Sequence, residues 1–188
     1  MGAIIGLDVA TKTGACVMEG DKLIHWEAFR PKGDGDAAIF HGYRSWLWGM
    51  LTAFDIQHGA MEQPLVTNLS VTSAKSDLAG ASVSKRNPVT MKTYLRLYGL
   101  YAHTVEIFHA RNINLEIVHQ GTWRKAFLGT GHGDKDMALA RCKVLGYEIT
   151  SKDAAEAAGV ASWLQGYLSP LSVLIRESAL LKGMGATE

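Results

Sequence analysis

Two acidic residues of this chain interrupt or end short apolar segments, where a carboxylate is costly. Asp8 lies within the apolar segment 3–9, and Glu62 directly follows the apolar segment 59–61. A carboxylate set into a buried strand needs a cation or hydrogen-bond donors close to it. For Asp8 two explanations remain open, a metal ion or a cap on the amides of the turn at residues 11–14.

Two further acidic residues, Asp153 and Glu156, stand three positions apart in a predicted helix at residues 152–168. This spacing puts both side chains on one helical face. The neighbouring residues are Ala, Gly and Val, so the helix can lie close against a sheet and carry both acids into the protein. Acidic residues in a first helical turn also interact favourably with the helix dipole, and that alone would explain the pair.

Four carboxylates that converge repel one another and raise one another's pKa. A divalent cation removes this repulsion, and carboxylate oxygens suit Mg²⁺ or Mn²⁺. Two such ions about 4 Å apart can stabilise both the attacking and the leaving oxygen of a phosphodiester. The four residues therefore indicate phosphodiester chemistry, provided that the fold brings them together.

The segments that would position these acids follow a recognisable order. Three apolar segments joined by short turns, at 3–9, 15–18 and 22–29, predict an antiparallel meander. A helix, a strand at 59–61, a helix, a strand and further helices follow, which indicates a mixed α/β fold with parallel crossovers after the meander. The remaining predictions are helices at 37–54, 89–111, 121–127, 134–145 with Asp134 as N-cap, and 152–168 with Ser151 as N-cap, and a strand at 114–119.

Length and composition favour one globular domain. The chain has 188 residues, of which 47% are hydrophobic, so we expect a single domain over residues 1–188. Residues 65–88 are rich in Ser, Thr, Ala and Gly and predict a mobile loop, and residues 169–188 predict a C-terminal tail. The formal net charge is +1, but residues 65–132 hold eight basic and three acidic side chains. A basic middle of this kind is typical of a face that contacts phosphates.

The two cysteines, Cys16 and Cys142, lie in apolar surroundings without CxxC spacing. They indicate neither a disulfide framework nor a zinc site. The N-terminus lacks the pattern of a signal peptide, and no apolar segment approaches the roughly 18 residues of a membrane span. We therefore expect a cytoplasmic protein.

The acids and their neighbours together resemble a known family. Gly6-Leu-Asp8 with Thr13-Gly14, then Glu62-Gln63, then Asp153-Ala-Ala-Glu156, resemble the RuvC-type Holliday junction resolvases, crossover junction endodeoxyribonucleases of the RNase H-like superfamily. The resemblance covers residues 4–164. It implies an RNase H-like fold, a five-stranded mixed sheet flanked by helices, in a bacterial or phage-encoded protein.

The resemblance also implies the chemistry. Asp8, Glu62, Asp153 and Glu156 would be the catalytic residues and the ligands of two Mg²⁺ ions, for which Mn²⁺ can substitute, in the hydrolysis of four-way DNA junctions. Glu156 stands where the family usually has Asp. Because a four-way junction has near two-fold symmetry, we expect a homodimer whose interface buries some of the residues Tyr94, Leu97, Tyr101 and Phe108.

Basic residues that flank the Gly-rich loop at 128–133 face the DNA backbone in the family, and Arg124 and Lys135 occupy those places here. Leu65 stands where family members carry an aromatic wedge. His132, in the loop, is a candidate proton shuttle. The full set of predicted DNA contacts is Leu65, Lys75, Lys85, Arg86, Arg124, Lys125 and Lys135.

Other functions remain compatible with this sequence. The same nuclease could act on other branched DNA or on structured RNA, or the fold could serve as a DNA-binding scaffold without catalysis. Actin-like and sugar-kinase-type ATP-binding proteins also begin with a strand, Gly-x-Asp and a Thr-Gly hairpin, but they need two such domains. The 188 residues leave room for one.

Overall fold

The computed structural model describes residues 2–64, 90–169 and 171. They form five strands and five helices. The strands are β1 (Ala3–Asp8), β2 (Thr13–Glu19), β3 (Lys22–Phe29), β4 (Ile56–Glu62) and β5 (Asn114–Val118). The helices are α1 (Gly35–Ala53), α2 (Met91–Ala110), α3 (Gln120–Leu128), α4 (Lys135–Val144) and α5 (Lys152–Leu168).

The strands form one mixed sheet in the order β3-β2-β1-β4-β5. β1, β2 and β3 pair antiparallel, whereas β4 pairs parallel with both β1 and β5. Leu7 is in register with Met61, so Asp8 and Glu62 both stand at the carboxyl ends of neighbouring parallel strands. This topology confirms the predicted α/β fold with a five-stranded mixed sheet.

Helices cover the two faces of the sheet, and alternate residues of β1 enter different cores. Ile5 and Leu7 pack with α1 and α2, while Ile4 packs with the side of the sheet covered by α3, α4 and α5. Phe108 of α2 is 1% exposed, and its ring lies over Gly59 of β4. Phe108 is thus a core residue, which leaves Tyr94, Leu97 and Tyr101 as candidates for the predicted dimer interface.

Helix α5 lies unusually close to the sheet because glycines of β1 and β2 face it. A Cβ atom added to Gly6 would lie 2.3 Å from the carbonyl oxygen of Ala157, and one added to Gly14 would lie 2.0 Å from that of Asp153. The small residues predicted to permit this approach are buried from Ala154 to Ala158. The start of α5 is therefore held against the end of β1, where Asp8 stands.

The predicted helix caps are present. Asp134 accepts a hydrogen bond from the backbone N–H of Met137 at 2.9 Å, and Ser151 accepts one from that of Ala154 at 3.5 Å. The predicted loop at 65–88 and all but two residues of the predicted tail at 169–188 lie outside the described residues. Within the described part of the chain, no helix combines the length and the apolar character needed to cross a membrane.

Candidate active site

The turn after β1 closes without Asp8. The hydroxyl of Thr13 donates to the carbonyl of Ala10 at 2.7 Å and accepts from its N–H at 3.4 Å. Asp8 Oδ2 instead lies 3.4 Å from Nζ of Lys135, the first residue of α4. The partner of Asp8 is thus an ammonium group and not the amides of this turn, and the metal-ion explanation stays a prediction.

The acids of α5 meet the same lysine. Lys135 Nζ lies 2.8 Å from Asp153 Oδ1 and 2.7 Å from Glu156 Oε2. Lys12, in the turn after β1, binds the other oxygen of Asp153 at 2.9 Å. Because Ser151 caps the helix, Asp153 and Glu156 are free to face the sheet, and Glu156 is only 2% exposed. One ammonium group thus joins three of the four predicted carboxylates.

The fourth carboxylate, Glu62, is held by helix α3. Gln120 Nε2 donates to one of its oxygens at 2.9 Å, and the indole N–H of Trp123 donates to the other at 2.7 Å. Trp123 is fully buried, and a buried indole N–H requires such an acceptor. The orientation of Glu62 is consequently fixed by the first turn of α3.

Arg124 completes the polar site. One terminal nitrogen of its guanidinium pairs with Glu156 Oε1, and its Cζ atom lies 5.3 Å from the centre of the Trp123 ring. Its Nε atom is buried and has no hydrogen-bond partner among the described residues. An unsatisfied buried donor beside a carboxylate cluster is costly and suits an anionic oxygen of a ligand.

A cavity of about 210 Å³ opens over these residues. Its wall combines charged side chains of the site with the apolar side chains of Pro64 and Leu97. The charged residues in the wall are Asp8, Glu62, Arg124, Lys135 and Glu156. The cavity therefore gives a ligand access to both the carboxylates and the guanidinium.

Burial and mutual repulsion perturb the carboxylates. Burial, together with the charges of Glu156 and Glu62, raises the pKa of Asp8 to about 7 against the opposing effect of Lys135. Burial also raises the pKa of Glu62, although the hydrogen bond from Trp123 opposes it. For Asp153 burial is outweighed by Lys135 and Lys12, and its pKa is lowered. The pKa values of Asp8 and Glu62 are therefore raised chiefly by burial, with a smaller contribution from the neighbouring carboxylates.

These residues fit a hard divalent cation in their chemistry. All four candidate ligands are carboxylates, and such oxygen donors are those that Mg²⁺ and Mn²⁺ prefer. In the described residues no group of three or more His, Cys, Asp or Glu side chains is arranged to hold a metal ion. The position between Asp8, Asp153 and Glu156 is taken by the ammonium of Lys135, a monovalent cation.

The remaining predicted residues lie apart from the carboxylates or outside the described residues. Lys125 is exposed on α3, next in sequence to Arg124. His132 is exposed in the loop before α4 and is not among the described residues that line the cavity. Four predicted DNA contacts fall outside the described residues, namely Leu65, Lys75, Lys85 and Arg86.

Three residues of the site were not predicted from the sequence. Gln120 and Trp123 stand three apart at the start of α3, on one helical face, and a tryptophan amid a basic segment was the available signal. Lys12 was interpreted as part of a turn, and nothing in the local sequence marks it as a partner of Asp153.

Comparisons with known proteins bear on the fold. No protein-family model matches the sequence, and no curated protein matches it either. Solved structures do match. A structure of Thermus thermophilus RuvC has a TM-score of 0.65 and 14% identity, covering 88% of this chain and 94% of that one. T. thermophilus RuvC in complex with a Holliday junction substrate has a TM-score of 0.66 and 12% identity, over 89% and 94%.

A third similar structure is that of the yeast mitochondrial Holliday junction resolvase. Its TM-score is 0.59 and its identity 10%, over 93% of this chain and 85% of the other. At such identities the likeness establishes a shared fold. The chain has the RuvC-like RNase H fold that the resemblance of its motifs predicted.

Proposed function

We propose that this protein is a structure-selective endodeoxyribonuclease that resolves four-way DNA junctions by metal-dependent phosphodiester hydrolysis. One observation carries the proposal: Asp8, Asp153 and Glu156, from elements at opposite ends of the chain, converge on one cation beside Glu62. A protein gains nothing in stability from concentrating buried carboxylates in this way, because their desolvation is expensive. The RuvC-like fold supports the same conclusion.

The residues proposed to hold two Mg²⁺ ions are Asp8, Glu62, Asp153 and Glu156. When bound, such ions supply an activated water and stabilise the charge on the leaving oxygen. The protein fixes the positions of the four carboxylates that would bind the ions. Gln120 and Trp123 engage both oxygens of Glu62, and the close approach of α5 to β1 holds the other three acids together.

The basic residues of the site are proposed to bind the scissile phosphate. The Nε–H of Arg124, which is buried and has no partner among the described residues, would donate to a phosphate oxygen while a terminal nitrogen remains on Glu156. Donors fixed in a partly buried site stabilise charge that develops in the transition state without reorganising. His132 stays a proposed proton shuttle, since it lies in the exposed loop between α3 and α4.

Branched DNA is the proposed substrate and a homodimer the proposed assembly. One structure with this fold was determined with a Holliday junction substrate, which supports a junction as the ligand here. Four-way junctions have near two-fold symmetry, and two symmetric cuts require two equivalent sites. The exposed Lys125 is proposed to contact the DNA backbone outside the cavity.

The test is cleavage of a synthetic four-way junction in Mg²⁺ beside a plain duplex, a flapped DNA and a structured RNA of the same length. We expect paired incisions in the junction and little cleavage of the duplex. Asp8→Asn should abolish incision while junction binding stays within a few-fold. Ca²⁺ should support binding with little turnover, and EDTA should stop cleavage.

Two results would contradict the proposal. A near-normal incision rate for the Asp8→Asn protein would remove Asp8 from the chemistry. Preferred cleavage of the flap or the RNA would favour the alternative that this nuclease acts on other branched DNA or structured RNA.

A further inference from the structure

Lys135 has an environment that its neighbours on α4 do not share. Its ammonium lies 2.7 Å from Glu156 Oε2, 2.8 Å from Asp153 Oδ1 and 3.4 Å from Asp8 Oδ2. These oxygens come from β1 and from α5, and they point towards one position. A single small cation therefore satisfies carboxylates from two separate elements of the fold.

The other cations of the site occupy its periphery. Arg124 binds the second oxygen of Glu156, and Lys12 binds the second oxygen of Asp153. Lys12, Arg124 and Lys135 supply three positive charges against four carboxylates. The cluster is thus largely neutralised by the protein itself, with Lys135 in the shared central position.

We propose that Lys135 is an internal counter-ion of the carboxylate cluster, which a divalent cation must displace in order to bind. The inference rests on the proposed function in one respect only, that these carboxylates are metal ligands. An ammonium and a divalent ion cannot share the oxygens of Asp8, Asp153 and Glu156, because both would occupy the same place at close range and repel each other. Displacement would free the ammonium of Lys135 for a phosphate oxygen.

The structure allows Lys135, rather than Arg124, to leave. The Lys135 side chain is 46% exposed and extends from the first residue of α4 on a flexible four-carbon stem. Arg124 is mostly buried and rests over the Trp123 ring. Lys12 is also half-exposed but contacts Asp153 alone, so its removal should free only one carboxylate oxygen of the cluster.

The decisive measurement is Mn²⁺ affinity without DNA, by calorimetry, in Lys135→Met and in the matched control Lys12→Met. Lys135→Met removes the competing ammonium and should lower the Mn²⁺ Kd by roughly tenfold. The reason is that partly buried Lys135 interacts with three carboxylates, and this interaction is stronger than that of a single surface ion pair. Lys12→Met should change the Kd by no more than about two- to threefold.

A second measurement uses the wild-type protein, so that the proposal stays testable if Lys135→Met folds poorly. Reductive methylation followed by mass spectrometry reports how accessible and reactive each lysine amine is. We expect Lys135 to react slowly in EDTA and several-fold faster in Mg²⁺. Lys22, exposed at the start of β3, should react equally in both.

The outcomes separate this inference from the proposed function. Unchanged or weaker Mn²⁺ binding by Lys135→Met, or a Lys135 reactivity that Mg²⁺ does not increase, would overturn the counter-ion role while leaving the metal site intact. A wild-type protein that binds neither ion at millimolar concentration would overturn both.

Discussion

The carboxylate of Asp8 combines burial with two acidic neighbours, and its protonation should therefore affect the stability of the metal-free protein. Its pKa is raised from an unfolded value near 3.8 to about 7 in the fold, chiefly by burial. The protonated folded state is thus favoured. The stabilising contribution is complete below pH 3.8 and is lost as the pH rises through 7.

This predicts a specific pH effect in EDTA. Between about pH 5.5 and about pH 8 the Asp8 contribution should fall by about 2 kcal/mol, or a few degrees in Tm. Asp8→Asn carries no ionisable group at this position and should lose that part of the pH dependence. Thermal unfolding monitored by circular dichroism measures both proteins. Equal pH dependence in the two would show that Asp8 ionises normally.

Arg124 and Lys125 are adjacent on α3 but differ in environment, and they form a matched pair for separating catalysis from binding. Arg124 is paired with Glu156 in the cavity, whereas Lys125 is exposed. Lys125→Ala should weaken junction binding and reduce the log–log salt slope by about one, without changing the single-turnover rate at saturation. Arg124→Ala should lower that saturated rate by about 10²-fold or more, because a donor to developing charge is lost.

Gel-shift titrations at several salt concentrations and single-turnover cleavage provide the two measurements. A wild-type saturated rate for Arg124→Ala would place this residue among the simple DNA contacts.

Much of the residue-level site could be predicted because its acids stand at unusual positions. Asp8 and Glu62 end strand patterns, and Asp153 and Glu156 share a helical face. The contacts of Lys135 with those acids could not be predicted, because they depend on how α4 packs beside α5 across a loop without periodicity. A basic residue near a Gly-rich loop looks the same in sequence whether it faces DNA or a carboxylate.

At the scale of elements, the close contact between α5 and the β1–β2 hairpin controls the geometry of the site. Gly6→Ala would place a methyl group against the backbone of α5 at Ala157 and force the helix away from the sheet. We expect a loss of about 1–3 kcal/mol in unfolding free energy and weaker Mn²⁺ binding, since Asp153 and Glu156 would move with the helix.

Gly49→Ala is the control for that substitution. Gly49 lies in α1 with open space around its Cα, so an added methyl group meets nothing. Alanine has the higher helix propensity, and the variant should gain up to about 1 kcal/mol while binding Mn²⁺ as the wild type does. Chemical denaturation and calorimetry measure both effects. If Gly6→Ala matched Gly49→Ala in stability, the close approach would not be a constraint.

The order of elements was predictable because strand and helix periodicities are strong and their caps are explicit. It was harder to assign which face of each helix packs against the sheet. Helix α2 has apolar residues on both its buried and its exposed side, such as Leu100 and Leu95. Sequence periodicity alone does not distinguish the face that covers a glycine of β4 from the outer face. Phe108 was included among the interface candidates for this reason, although it packs on Gly59.

At the scale of the whole molecule, α2 presents an apolar outer face, with Met91, Leu95 and Val105 exposed. Leu95 is 62% exposed. We predict that this face contributes to the proposed homodimer. Leu95→Glu should shift the protein from dimer to monomer in light scattering at micromolar concentration, because a charge would be buried in the interface. Stability of the monomer should hardly change, since Leu95 is outside the core.

Val144→Glu is the matched control, because Val144 is 75% exposed on α4. It should leave the oligomeric state as it is in the wild type. A wild-type protein that is monomeric with and without junction DNA would exclude the homodimer, and a dimer unaffected by Leu95→Glu would move the interface to another surface.

Because the chain is synthesised from its N-terminus, the contact of α5 with β1 determines when the carboxylate cluster can assemble. β1 and β4 exist once residue 62 has been made, but Asp153 and Glu156 follow roughly ninety residues later, at about 5–20 residues per second. For those seconds the nascent chain contains Asp8 and Glu62 but not yet Asp153 and Glu156. The four carboxylates can come together only after residue 156 has been made, when most of the domain is available to fold around them.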